Sequence, residues 1–166
     1  MSDPFAEIIA EQARLDAQIR NTKLKETPLQ VRGSFVPLWV GSTIAGSFTY
    51  TTAACLVEWT RHNDRLFFNG RIVISAIGVA PTGNLTITGW PYSGVTDGGM
   101  VIAGGGTLIT WTLNLAAGYT DASLQFTNSA VATVLRSGDN VAAVAVAGGE
   151  LIVGDCRFFG HYRITA

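Results

Sequence analysis

The sequence predicts an all-β, antiparallel head preceded by an amphipathic α-helix. Its texture changes near Gly33: a charged, helix-forming stretch from Asp3 to Glu26 gives way to short apolar-alternating runs, with no lysine after Lys25. Turn signals then recur roughly every ten residues, the spacing of a β-sandwich or barrel. Between them, apolar residues alternate with period two, as in strands that bury one face. These observations divide the chain into a leader and linker, residues 1–32, and a β-sandwich head, residues 33–166.

The leader opens on Asp3-Pro4, a capping residue followed by a residue preorganised for the first helical position. Phe5, Ile8, Gln12, Leu15, Ile19 and Thr22 follow at alternating steps of three and four, which is heptad spacing with Gln12 as a polar layer. The run is too short to hold a coiled coil alone. It either associates with its own copies or lays its apolar stripe on the β domain or a larger partner. Phe5, Ile8, Gln12, Leu15 and Ile19 are the candidate oligomerisation or anchoring residues. Thr27-Pro28 ends the helix, and Leu29–Gly33 reads as a linker into a first strand near Phe35–Val40.

Three later segments set the strand faces. In Arg65–Ser75, Leu66, Phe68, Gly70, Ile72 and Ile74 share one face, and Phe67, Asn69 and Arg71 the other. In Asp155–Thr165, Cys156, Phe158, Gly160, Tyr162 and Ile164 oppose Arg157, Phe159, His161 and Arg163. In Thr107–Leu115, Ile109, Trp111, Leu113 and Leu115 are expected to face one way. Gly104-Gly105-Gly106 lacks the lysine and helix of a phosphate loop and reads as a mobile connection between strands. With no strand–helix alternation, a parallel α/β sheet is excluded.

The 166 residues are 48% hydrophobic and 14% charged, which excludes global disorder and supplies a sizeable core. A net charge of −1 points away from nucleic acid and anionic membranes. No run is long and apolar enough to span a bilayer, and the acidic, amphipathic N-terminus is not built like a secretion signal. Between Ile72 and Val134 the only charges are Asp97 and Asp121. So uncharged a β surface is either solvated by Thr, Ser and Asn or covered by neighbouring subunits.

Candidate chemistry is sparse. Cys55 and Cys156 are expected as buried reduced thiols rather than a bridge. Together with His62 and His161 they lack the spacing of a structural zinc site, and no metal or cofactor is expected. The carboxylates Glu58, Asp64, Asp97, Asp121, Asp139, Glu150 and Asp155 sit mostly at turns, and none is singled out as a hydrolytic pair. No catalytic residues are assigned. Trp90, Tyr92 and Tyr119 fall at strand ends or in loops, where their rings either stack on sugars or close the end of the core. Arg61, Arg65, Arg71, Arg157 and Arg163 either form inter-subunit ion pairs with Glu58, Asp64 or Asp155, or are solvated.

The run Trp59-Thr60-Arg61-His62-Asn63-Asp64-Arg65-Leu66-Phe67-Phe68-Asn69-Gly70-Arg71-Ile72 resembles a stretch of small β-sandwich domains in bacteriophage fibre, spike and virion decoration proteins. Gly46-Ser47-Phe48-Thr49-Tyr50-Thr51, Gly83-Asn84 through Trp90-Pro91-Tyr92, and Phe159-Gly160-His161-Tyr162-Arg163-Ile164 are similar to its flanking segments. Trp59 stands where that group has Tyr, Trp90 where it has an aliphatic residue, and His62-Asn63-Asp64 where it has a glycine-containing turn. The resemblance spans most of Gly33–Ala166. It implies a jelly-roll-like sandwich, commonly trimeric and displayed on a virion assembled in the host cytoplasm, and supplies no catalytic residues.

The resulting expectation is a non-enzymatic virion structural protein: a homotrimeric fibre or spike knob. Its helix would attach to another virion protein of the capsid, portal or tail, and its head would contact the host surface, including glycans. Capsid decoration and a monomeric carbohydrate-binding module are the competing readings.

Overall fold

The computed structural model describes residues 11–18, 30–96, 102–110, 113–139 and 141–165. A helix covers 11–18, and every one of its side chains is exposed. The strands are β1 (Gln30–Phe35), β2 (Leu38–Gly41), β3 (Ser47–Tyr50), β4 (Leu56–His62), β5 (Arg65–Val79), β6 (Leu85–Thr88), β7 (Gly104–Thr110), β8 (Asp121–Phe126), β9 (Ala132–Gly138), β10 (Val141–Ala145) and β11 (Gly154–Arg163). They form one antiparallel sheet in the order β1-β4-β5-β11-β7-β8-β9-β6-β2, with β3 added on β5 and β10 on β9.

The connection between the first two strands dictates the shape. β1 and β2 stand at opposite ends of that order, yet only Val36 and Pro37 join them. The three Cα–Cα steps from Phe35 to Leu38 span no more than about 11 Å, so the sheet curls until its edges meet and its inner face encloses the core. The all-β antiparallel expectation describes this molecule. The first strand begins at Gln30, inside the stretch read as a linker. Gln30, Val31 and Arg32 are all exposed, so this edge strand lacks the one-sided alternation that marks β11 and residues 65–74 of β5.

The core is aromatic and centred on the β5–β11 pair. Phe126 stacks on Tyr162 with ring centroids 4.1 Å apart. Trp90 meets Phe126 at 4.7 Å and Phe68 at 4.8 Å, both edge-on. Its Nε1–H donates to the Ile87 carbonyl at 2.9 Å, so the buried indole is satisfied. Large rings so close to a sheet need gaps in it, and glycines supply them. Phe158 lies opposite Gly70, and Phe68 opposite Gly160. A Cβ on Gly70 would fall 2.5 Å from the Phe158 ring. One on Gly160 would fall 2.3 Å from the Gly105 carbonyl oxygen and 2.8 Å from the Phe68 ring.

Two sequence expectations are corrected. Gly104-Gly105-Gly106 is not a connection but the start of β7. A Cβ on Gly104 would come within 2.4 Å of the His161 carbonyl oxygen, and one on Gly106 within 2.5 Å of that of Phe159. These glycines therefore permit close approach to β11 rather than a turn. The phase of β7 is also inverted, with Leu108 buried and Ile109 exposed. A register irregularity between Arg157 and Phe158 of β11 separates Thr110 from Leu108 in the pairing, so strict period two does not hold across it. Trp111 lies outside the described residues. The faces expected for Arg65–Ser75 and Asp155–Thr165 match the burial observed.

Gly160→Ala is expected to lower unfolding stability by about 1–3 kcal/mol through overpacking between β7 and Phe68. A urea unfolding midpoint indistinguishable from wild type would contradict this packing.

Candidate functional site

Of the leader candidates, Gln12 and Leu15 lie on the described helix, Leu15 with 46% of its surface exposed. Arg14 and Glu11 of that helix pair at 2.7 Å. Phe5, Ile8 and Ile19 lie outside the described residues.

The three aromatic candidates do not form one groove. Trp90 is 5% exposed and belongs to the core, so it offers no open ring face. Tyr92 is half-buried, edge-on to Trp59 at 5.5 Å, with the Arg61 guanidinium 5.3 Å from its ring centroid. Its carbonyl accepts from the Tyr162 hydroxyl at 2.9 Å. Burial foremost raises the Tyr162 hydroxyl's pKa well above the ordinary phenol value, so it remains a donor. Tyr92 thus stands at the end where β11 finishes, whereas Tyr119 precedes β8 at the opposite strand ends. The Arg136 guanidinium lies 4.4 Å from the Tyr119 ring centroid and is ion-paired to Glu150.

That pair is a structural hub. Both side chains are about 15% exposed. Glu150 also accepts from the backbone N–H of Ala116 at 3.1 Å and of Ala147 at 2.9 Å. It therefore ties two loops to β9, and Tyr119 stacks on the cation it holds.

The outer face of β4, β5, β11 and β7 is where side chains converge without being buried. Phe67 is 44% exposed, with His62 edge-on at 6.2 Å and His161 tilted against it at 5.6 Å. A cleft of about 610 Å³ lies beside it, lined by Thr60, His62, Asn63, Asp64, Arg65 and Phe67. Its floor turns at Asn63, whose φ of 52° is the left-handed value that asparagine tolerates in a two-residue hairpin. This explains how His62-Asn63-Asp64 serves where the resembled domains use glycine. Further along the face, Leu56, Glu58, Asn69, Arg71, Ile109 and Arg157 line a second cleft of about 440 Å³. Phe159, 49% exposed, sits between the two beside Asn69.

Charge on this face is partly matched within the chain. Arg71 makes two bonds to Asp155, at 3.0 and 2.9 Å, and Arg157 makes two more to the same carboxylate, at 3.3 and 3.2 Å. The hydrogen bond from Arg71 chiefly holds Asp155 below the usual carboxylate range, against the opposing effect of burial and with Arg157 adding to the lowering. Arg163 pairs with Asp64 at 3.1 Å. Glu58 makes no ion pair among the described residues.

The four Cys and His residues divide between faces. His62 and His161 are exposed on the outer side. Cys55 and Cys156 are free thiols in the core. Burial foremost, with the charge of the adjacent Asp155 added, pushes the Cys156 thiol up to about 12. Cys55 Sγ accepts from the Val73 N–H at 3.2 Å. Among the described residues no group of three or more potential ligands gathers. Sequence reasoning places Phe67 and Phe159 on the outer face but gives them no role. The available signal is a large aromatic at an outward position of two neighbouring strands.

No protein-family model matches this chain, and no curated protein matches it. Among solved structures it is similar to the crystal structure of Dettilon tailspike protein, with a TM-score of 0.58 and 22% identity. The match covers 81% of this chain and 23% of that one, so the chain corresponds in fold to about a quarter of the tailspike's length.

Asp155 ionises at lower pH in the folded chain than in the unfolded one. Its pairing therefore stabilises fully at neutral pH and is lost as pH falls through the folded value. Asp155→Asn is expected to cost under about 1 kcal/mol at pH 7, the pair being partly exposed, and nothing at strongly acidic pH. Glu150→Ala, which leaves the largely buried Arg136 unmatched, is expected to cost about 3 kcal/mol. Unfolding curves at pH 7 and in acid check both.

Proposed function

We propose that this chain is a non-enzymatic structural component of a bacteriophage particle: the jelly-roll-like head of a trimeric fibre or spike, displayed for contact with the host surface. In this reading the leader anchors the subunit to another virion protein and helps bundle three copies, and the β domain, which begins with β1 at Gln30 rather than at Gly33, forms the head.

The observation that carries it is the fold correspondence with part of a tailspike protein over 81% of the chain. The layout agrees with it. An exposed helix precedes the head, and the chain joins the head at Gln30, beside His62 at one end of the strands. Tyr119 stands at the other end, the one free to meet a host surface. The carboxylates Asp64, Glu150 and Asp155 are each held by arginine, an arrangement suited to structure rather than to proton transfer.

The full chain is expected to sediment at about three times its 17.6 kDa. The double change Ile8→Asp and Leu15→Asp is expected to abolish incorporation into particles while leaving the β-sheet circular dichroism intact. A wild-type chain that stays monomeric, or a double variant incorporated at wild-type level, would overturn the anchoring role.

A further inference from the structure

We propose that the outer face of β4, β5, β11 and β7 is the contact surface for a second copy of this chain. The inference rests on the multi-subunit reading above and specifies which surface closes the assembly. On a strand that buries one face, outward positions are ordinarily polar. Here Leu56, Phe67, Ile109 and Phe159 all point outward, each between 44% and 58% exposed. Pairing places them on adjoining strands: Leu56 opposite Arg71, and Phe159 opposite Asn69 and Thr107. Across one row Leu56, Arg71, Arg157 and Thr110 follow one another, with Ile109 lining the same cleft, so exposed apolar side chains and arginines are interleaved on this face, the mixture found at protein contacts.

Three features select another copy as the occupant. The first is size. Four strands about 4.8 Å apart and about seven residues long at about 3.4 Å each give a footprint of about 450 Å², close to the roughly 500 Å² per partner of the smallest specific interfaces. The second is charge. Arg71 and Arg157 share the single carboxylate of Asp155, while Glu58 has no ion pair among the described residues. The face thus carries two arginines on one carboxylate and, in the same cleft, a glutamate without an ion pair among the described residues, so it offers both signs of charge to a copy of itself. Every cation after Lys25 is arginine, the cation enriched at interfaces where lysine is depleted. The third is position: the chain enters the sheet at Gln30, paired with His62, which itself lines the cleft on this face.

The test uses the full chain carrying Phe67→Glu and Phe159→Glu, with Phe67→Thr and Phe159→Thr as a second variant that keeps strand propensity. Association is followed by sedimentation over a dilution series, and folding by thermal melting. The expected result is association weakened by about tenfold or more, with sheet structure retained. In parallel, a nitroxide on Asn69→Cys is expected to be immobilised at high concentration and freed on dilution. A wild-type oligomer whose association neither variant changes would overturn this face while leaving the multi-subunit reading intact. A wild-type monomer at every concentration would overturn that reading, and this inference with it. A nitroxide immobilised independently of concentration would instead assign the face to the chain's own leader, and so overturn the proposal.

Discussion

Reciprocal packing of phenylalanine over glycine across β5 and β11 is the constraint on which the rest of this β domain depends. Phe68 faces Gly160, and Phe158 faces Gly70. Each ring occupies space that a Cβ on the opposing residue would take. Because the rings fill these gaps in the sheet, Trp90, Phe126 and Tyr162 can close over them from the far side. Aromatic burial on this scale is the dominant favourable contribution available to a small β domain. It also fixes how tightly the sheet must curl, since the edges joined through Val36-Pro37 meet around this cluster.

Charge is used sparingly and for attachment of loops rather than for the core. Arg136 and Glu150 are the most buried ion pair among the described residues. Glu150 is retained by two backbone N–H groups as well as by the guanidinium. Such a pair contributes little net stability but is costly to break on one side. It therefore specifies where the loops before β8 and before β11 lie. Tyr119 follows from it: the ring is placed by the cation beneath it.

The fold class is legible because β5 and β11 obey period two over ten or more residues, and their core faces are read directly from the alternation. β1 is not, because an edge strand exposed at Gln30, Val31 and Arg32 has no buried face to leave a pattern. β7 escapes sequence reasoning because three glycines look like a turn when the strand they must approach is distant in sequence. Trp90 shows the same limit at the site. A Trp-Pro-Tyr at a strand end has the composition of a sugar platform, and only the three-dimensional packing of Phe68, Phe126 and Tyr162 against the indole makes it core.

The same Phe–Gly pairing bears on the outer face. β5 and β11 each carry adjacent phenylalanines, Phe67-Phe68 and Phe158-Phe159, so at these two positions taken alone hydrophobicity does not say which ring points inward. The glycines decide it. Phe68 and Phe158 oppose Gly160 and Gly70, whereas Phe67 and Phe159 oppose His161 and Asn69, whose side chains leave no such gap. Inverting the phase would press rings against side chains and bury Asn69, Arg71 and Arg157. The phase is thus secured by Phe68 and Phe158 rather than by Phe67 and Phe159. In the proposed contact between copies, Phe67 and Phe159 would supply apolar area that threonine at the same positions would not.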